Sequence, residues 1–122
     1  MSKILCNQVD YLLRENAAVA VADFVEPKTG FDFINIPVKE KPVYSTSVKQ
    51  ANAGTVRTET VTVVTKHNAD TFIKANAAWH YILRLRTDKR IFYAGTDRFP
   101  CTVEISGDAI SDTYAFKSTS IP

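Results

Sequence analysis

The chain has 122 residues, of which 45% are hydrophobic and 23% are charged, and this composition is typical of a folded domain and excludes a disordered segment. Fifteen basic and thirteen acidic side chains leave a net charge of +2, which is too small to indicate a nucleic acid or a membrane surface as the partner. On length we expect residues 1–122 to form a single domain with its own core.

The sequence indicates neither a membrane-spanning segment nor a signal peptide. The longest apolar run, residues 17–22, is short beside the roughly 18 residues that a membrane-spanning helix needs. Residues 1–10 lack the continuous apolar region of a signal peptide, because polar residues follow the first few apolar ones. We therefore expect no membrane partner, and we expect Cys6 and Cys101 to be buried free thiols, since a disulfide needs an oxidising compartment.

Residues 4–16 have an ambiguous pattern. Val9, Leu12 and Leu13 fall at helical spacing, which favours a short helix and leaves an N-terminal strand as the alternative.

Two hairpins are predicted next. Residues 17–25 alternate as a strand, a turn with Pro27 and Gly30 follows, and residues 31–36 alternate again. We expect these segments to pair as a hairpin over residues 17–38.

The second predicted hairpin pairs residues 43–50 with residues 55–66, the longest strand-like run in the chain. Period-two alternation puts Thr58, Thr60, Thr62 and Val64 on one side of this strand, and on the other side Glu59, Val61, Val63 and Thr65. A threonine-rich side of this kind faces solvent or forms a flat polar surface for a neighbouring subunit.

Residues 69–78 are predicted to form a short helix over one end of the sheet, because Asn68 or Asp70 can cap it and Phe72, Ile73 and Ala77 form a narrow apolar stripe.

The C-terminal third predicts four strands joined by short turns as a meander, at residues 79–86, 90–94, 101–106 and 110–118. The fold class that follows is mainly β, an antiparallel sandwich or a partly closed barrel with one short helix. The expected core is Val19, Val21, Val61, Val63, Leu83, Leu85, Val103, Ile105, Tyr114 and Phe116.

Motifs that carry chemistry are absent from the sequence. His67 and His80 have no second ligand at a metal-binding spacing, and no nucleophile elbow or phosphate-binding glycine loop occurs. Asp88, Asp97 and Asp108 lie in predicted turns, where aspartate bonds its local backbone, so we interpret them as structural. We expect no enzyme activity, no metal, no cofactor and no small-molecule substrate.

One cluster of basic and aromatic residues is unusual for an ordinary globular chain. Residues 79–98 hold five basic side chains against two acidic ones, interleaved with aromatic residues. The candidate interaction face, with the threonine side included, is Arg84, Arg86, Lys89, Arg90, Arg98, Thr58, Thr60 and Thr62. A solvated or subunit-facing arginine row is the first interpretation, and a stacking platform for single-stranded nucleic acid is the second.

The run of residues 90–100, which leads into residues 101–106 and 112–120, resembles small structural proteins of the tail and neck modules of tailed bacteriophages. The order of elements is similar to the β-sandwich-plus-helix plan of tail-tube and tail-terminator subunits. This resemblance implies a class, a non-enzymatic virion component that assembles into a ring, and it transfers no residue roles.

The leading hypothesis is therefore a phage structural or assembly protein, homo-oligomeric through edge pairing. It is expected to contact other virion proteins and to reach the virion after assembly in the host cytoplasm. The alternative is a small β module that binds single-stranded nucleic acid through Arg84, Arg86, Arg90 and an exposed aromatic residue such as Trp79 or Phe92.

Overall fold

The computed structural model describes residues 2–21, 23–51, 54–67, 73, 75–76 and 78–120. In the first half of the chain the strands are β1 (Ser2–Leu5), β2 (Gln8–Leu13), β3 (Ala17–Val21), β4 (Phe24–Pro27), β5 (Ile34–Asn35) and β6 (Val43–Ala51). In the second half they are β7 (Gly54–Lys66), β8 (Tyr81–Arg86), β9 (Ile91–Ala94), β10 (Thr102–Gly107) and β11 (Ser111–Ser120). A single 3₁₀ turn, Arg14–Asn16, separates β2 from β3.

The strands form three antiparallel sheets. A five-stranded sheet has the order β1-β6-β7-β11-β10, a four-stranded sheet has the order β5-β2-β8-β9, and β3 pairs with β4 alone. Strands account for 64% of the described residues, and in that part of the chain the sheets pack as a sandwich without closing into a barrel. The predicted mainly β, antiparallel sandwich is therefore confirmed.

The core lies between the five-stranded and four-stranded sheets. Inward side chains of β7 and β11 meet those of β8 and β2, and the fully buried members are Val9, Val61, Val63, Tyr81, Leu83, Leu85, Tyr114 and Phe116. The ring of Tyr81 makes edge contacts with Tyr11 and Phe116, at centroid distances of 5.8 and 5.9 Å. Such edge-to-face pairs add to the free energy gained from burying the rings.

A smaller apolar cluster lies on the opposite side of the four-stranded sheet. Leu12 and Ile82 point outward from β2 and β8, and Ala20 and Val25 of the β3–β4 hairpin cover them. The hairpin therefore covers the outer surface of this sheet at Leu12 and Ile82.

The predicted helix within residues 4–16 is wrong, and the alternative strand is present. β2 pairs with β8 from Gln8 opposite Arg86 to Leu13 opposite Tyr81. Because one side of β2 meets the core and the other meets the β3–β4 hairpin, apolar residues occur on both sides, and their spacing imitates that of a helix.

The predicted hairpin over residues 17–38 is also wrong. β3 turns back within a few residues and pairs with β4, with Val21 opposite Phe24. The later segment, β5, pairs with β2 instead, with Asn35 opposite Asp10. Ala20 and Val25 face the sheet, so Val19 and Val21 point to solvent, at 39% and 48% exposure. Their predicted place in the core is wrong.

The C-terminal strands occur where they are predicted, but not as one meander. β8 and β9 belong to the four-stranded sheet, whereas β10 and β11 belong to the five-stranded sheet. Gly95, with a φ of +85°, lets the chain leave β9. A single bridge between Tyr81 and Cys101 then links the two sheets where β10 begins.

The second predicted hairpin is confirmed, since β6 pairs with β7 along its whole length. The predicted helix over residues 69–78 falls mainly on residues outside the described ones; of those described, Ile73 is fully buried in the main core. Eight expected core residues remain besides Val19 and Val21. Seven of them are buried, and the eighth, Ile105, is half-buried against them.

Candidate functional site

The outer face of the five-stranded sheet is rich in short hydroxyl side chains. Thr58, Thr60 and Thr62 lie half-buried along β7 with their side chains on this face. The strand register places beside them, on the same face, Val43, Ser45, Ser47, Val64, Thr113, Ala115, Lys117 and Thr119. We call this surface the threonine face. No described residue of another sheet belongs to it.

The two margins of the same sheet are β1 and β10, and apart from the bridge of Tyr81 to Cys101, the residue before β10, no described strand pairs with the outer side of either. Lys3 on β1 and Glu104 on β10 both point to the threonine-face side and are exposed. One margin therefore carries a basic side chain and the other an acidic one. Unpaired backbone N–H and C=O groups along such margins are templates for another strand.

Arg84 is engaged in a buried ion pair and is not an open cation. Its Nη2 lies 2.8 Å from Oδ2 of Asp10, a carboxylate that is 3% exposed, and its guanidinium stacks 4.5 Å from the ring centroid of Phe33. Burial alone would raise the pKa of Asp10, but hydrogen bonds from Gln8, Asn35 and Arg84, with the charge of Arg84, hold that pKa below its ordinary value.

The other predicted basic residues lie in three places, all apart from the threonine face. Arg86 points to the outer side of the four-stranded sheet, Lys89 and Arg90 lie at the β8–β9 turn, and Arg98 stands over Phe99 in the following loop. Trp79, 45% exposed, lines a groove with Phe31, Phe33 and Ile34 rather than with these cations. The aromatic and basic residues therefore do not form a single stacking platform among the described residues.

A cleft of 410 Å³ opens between the two larger sheets at one end of the sandwich. The one acidic side chain among its described lining residues is Glu59, which is 12% exposed. The hydroxyl of Tyr44 donates to Glu59 Oε2 at 2.5 Å, and the amide of Gly95 donates to Oε1 at 3.4 Å. Burial, followed by the hydrogen bond to Glu59 and its charge, raises the pKa of Tyr44, so this hydroxyl stays protonated and donates.

Two arginines stand at the same cleft. Arg57 is 47% exposed, lies 3.8 Å from Glu59 and donates to the Tyr44 hydroxyl at 3.4 Å. Arg90 places its guanidinium 4.9 Å from the ring centroid of Phe92, which in turn makes an edge contact with Tyr44. Of the predicted face residues, Arg90 alone lines this cleft.

Sequence reasoning missed the cleft, although one signal was present. Glu59 shares the inward side of β7 with Val61, Val63 and Thr65. A carboxylate in line with buried valines needs donors inside the protein, because an unpaired buried charge is costly.

The two cysteines are buried and free, as predicted. Burial raises the pKa of Cys101, and the nearby charge of Glu59 raises it further. Burial also raises the pKa of Cys6, with a smaller opposing effect of Arg90.

The aspartates of the C-terminal half have structural partners. Asp108 Oδ1 accepts hydrogen bonds from the amides of Ile110 and Ser111, both at 2.8 Å, as expected for a turn aspartate. The buried Asp112 lies 3.2 Å from Nδ1 of His67. Among the described residues no group of three or more histidine, cysteine, aspartate or glutamate side chains is arranged to hold a metal ion.

Within the described residues, no helix is both long and apolar enough to cross a membrane. No protein-family model, no curated protein and no solved structure matches this chain.

Proposed function

We propose that this chain is a non-enzymatic structural subunit that assembles head to tail with copies of itself, as a ring component of a phage tail or neck. The observation that carries the proposal is the pair of open margins, β1 and β10, at opposite ends of one sheet. Pairing β10 of one copy with β1 of the next satisfies both sets of backbone groups and extends the sheet from subunit to subunit.

Charge supports this pairing of margins. Lys3 and Glu104 stand on the same face of the sheet at its two ends, so head-to-tail joining brings opposite charges to one seam. Joining β10 to β10 would instead bring two Glu104 side chains together, which is unfavourable. A heterologous contact of this kind closes into a ring when the rotation between subunits permits it.

The threonine face supports the same function, because it becomes a continuous wall when the sheets join. Short, β-branched hydroxyl side chains give a flat surface with little side-chain entropy to lose on contact. The wall then suits packing against other virion proteins. The resemblance of residues 90–120 to tail and neck proteins supplies the phage context.

A charge-exchange experiment tests the pairing. Glu104→Lys places two lysines at the seam and is expected to shift the purified protein from oligomer to monomer in size-exclusion chromatography with light scattering. The double variant Lys3→Glu/Glu104→Lys restores opposite charges and is expected to restore the oligomer. Glu26→Lys makes the same charge change at an exposed position of β4 and is expected to have no effect.

A wild-type chain that is monomeric at every concentration would contradict the proposal. So would a Glu104→Lys variant that assembles as the wild type does, or a double variant that remains as dissociated as the single one.

A further inference from the structure

We propose that the cleft between the two sheets binds a small organic anion with a flat apolar body, held by Arg57 and Arg90 against the ring of Phe92. This inference is independent of the assembly proposed above. Neither arginine lies on the two strands that the assembly pairs, β1 and β10.

The size of the cleft fits such a ligand. Its volume, 410 Å³, falls within the range of small-molecule sites. The walls come from both sheets, with Tyr44 and Arg57 from the five-stranded sheet and Phe92 from the four-stranded one. Since these three residues stand on paired strands, this part of the site is preformed.

The charge balance of the cleft favours an anion. Two guanidinium groups line it, and the one acidic side chain that lines it is Glu59. Glu59 accepts its hydrogen bonds from Tyr44 and Gly95, so its ion pair with Arg57 takes up no hydrogen-bond donor of the guanidinium. The 3.8 Å separation of Arg57 from Glu59 is longer than a hydrogen bond.

The guanidinium donors are largely uncommitted among the described residues. Arg57 makes one side-chain hydrogen bond there, at 3.4 Å to Tyr44, and a guanidinium has five N–H groups to offer. Arg90 has a ring contact with Phe92 but no ion pair with a described acidic residue. Paired N–H groups of arginine match the oxygens of a carboxylate or a phosphate.

The apolar part of the ligand has a defined surface to contact. Phe92 is half-buried, its ring is fixed by the edge contact with Tyr44 at 4.9 Å, and Ile4 and Phe99 line the same cleft. A flat ring stacked there lies beside the guanidinium of Arg90, an arrangement favourable to both groups. Carboxylate and phosphate share the head-group chemistry, so both are tested.

The experiment is an NMR titration of the full chain with phenyl phosphate and with benzoate, followed through backbone amides. Shifts are expected to concentrate at Phe92, Gly95 and Thr96. Arg57→Gln and Arg90→Gln are each expected to weaken binding about tenfold, the loss of one charge-assisted contact. The matched control, Arg86→Gln, changes an exposed arginine of β8 outside the cleft and is expected to bind as the wild type does.

The inference would be overturned by the absence of cleft shifts at millimolar ligand, by equal binding of the neutral analogue benzyl alcohol, or by a loss in Arg86→Gln as large as in the cleft variants. Repeating the titration with Glu104→Lys separates this site from assembly. Binding retained by the dissociated variant supports the ligand site, and binding lost there assigns the shifts to self-association and contradicts it.

Discussion

Arg84 donates two hydrogen bonds to Oδ2 of Asp10, from Nε at 3.0 Å and from Nη2 at 2.8 Å. The other oxygen of Asp10 accepts hydrogen bonds from Gln8 and Asn35, both at 3.0 Å. One buried carboxylate thus ties β5, β2 and β8 together on the outer side of the four-stranded sheet. Arg84, one of the basic residues of segment 79–98, therefore has a structural role in the four-stranded sheet.

Removing the arginine leaves this carboxylate buried with fewer donors. Arg84→Met is expected to lower the free energy of unfolding by about 2–3 kcal/mol, less than for a fully buried pair because Arg84 is partly exposed. Urea denaturation measures the change. Arg86→Met, two residues along the same strand and exposed, is the control, with an expected change within about 0.5 kcal/mol. Equal losses in the two variants would contradict the structural role of Arg84.

Asp10 also makes stability depend on pH. The pKa of Asp10 in the folded protein lies below its ordinary value of 3.8. The contribution of the ionised carboxylate to the free energy of unfolding is therefore complete above pH 3.8, and it is lost as the pH falls through the lower pKa of the folded state. Asp10→Asn is expected to be less stable than the wild type at neutral pH, with a difference that shrinks in acid below about pH 4. Urea denaturation at a series of pH values measures it. A difference that stays constant into that acid range would argue against this assignment.

The core can be tested by one substitution at two sites. Val61→Ala removes two methyl groups from a residue with 0% exposure and is expected to cost about 2 kcal/mol of unfolding free energy. Val21→Ala, at 48% exposure on the hairpin, is expected to change it by less than about 0.5 kcal/mol. Thermal and urea denaturation provide the comparison. A larger loss at Val21 would contradict the arrangement of the β3–β4 hairpin.

This contrast shows where sequence patterns succeed. The alternation in residues 55–66 identifies Val61 and Val63 as buried because one side of β7 faces the core and the other faces outward. The same rule fails at Val19 and Val21, since their alternation states which residues share a side but not which side is covered. That choice is made by a distant element, the outer surface of β2 and β8.

The candidate site was accessible from the sequence only in part. The threonine face follows from local alternation in one strand. The pairing of Arg84 with Asp10 joins residues 74 positions apart, so no local sequence spacing predicts it. The cleft likewise brings Arg57 and Arg90 together from different sheets, and strand order between sheets is set by long-range packing rather than by propensity.

Gly95 is expected to tolerate substitution less well than Gly54. Both have positive φ angles, +85° and +112°, but a Cβ at Gly95 would lie 3.0 Å from Cys101 Sγ, whereas none of the described neighbours lies within 4 Å at Gly54. Each change to alanine costs about 1 kcal/mol for the backbone conformation, and Gly95→Ala costs about 1–2 kcal/mol more for overpacking. Urea denaturation separates them, and a Gly54 variant at least as destabilised would contradict the close contact.

Cys6 and Cys101 are expected to react slowly with a thiol reagent in the folded protein at about pH 8. Both are buried, and burial raises the pKa of each thiol, so little reactive thiolate is present. In concentrated urea both thiols should react at the rate of an exposed cysteine. Rapid modification of either thiol without denaturant would show that the sandwich is more open than described.

Amide hydrogen exchange of the wild-type chain, compared between dilute and concentrated solution, tests most directly whether the sheet margins pair between copies. The account predicts that amides of β10 and β1 become protected at high concentration, while those of the β3–β4 hairpin keep their dilute exchange rates. Unchanged exchange along both margins at all concentrations would contradict it.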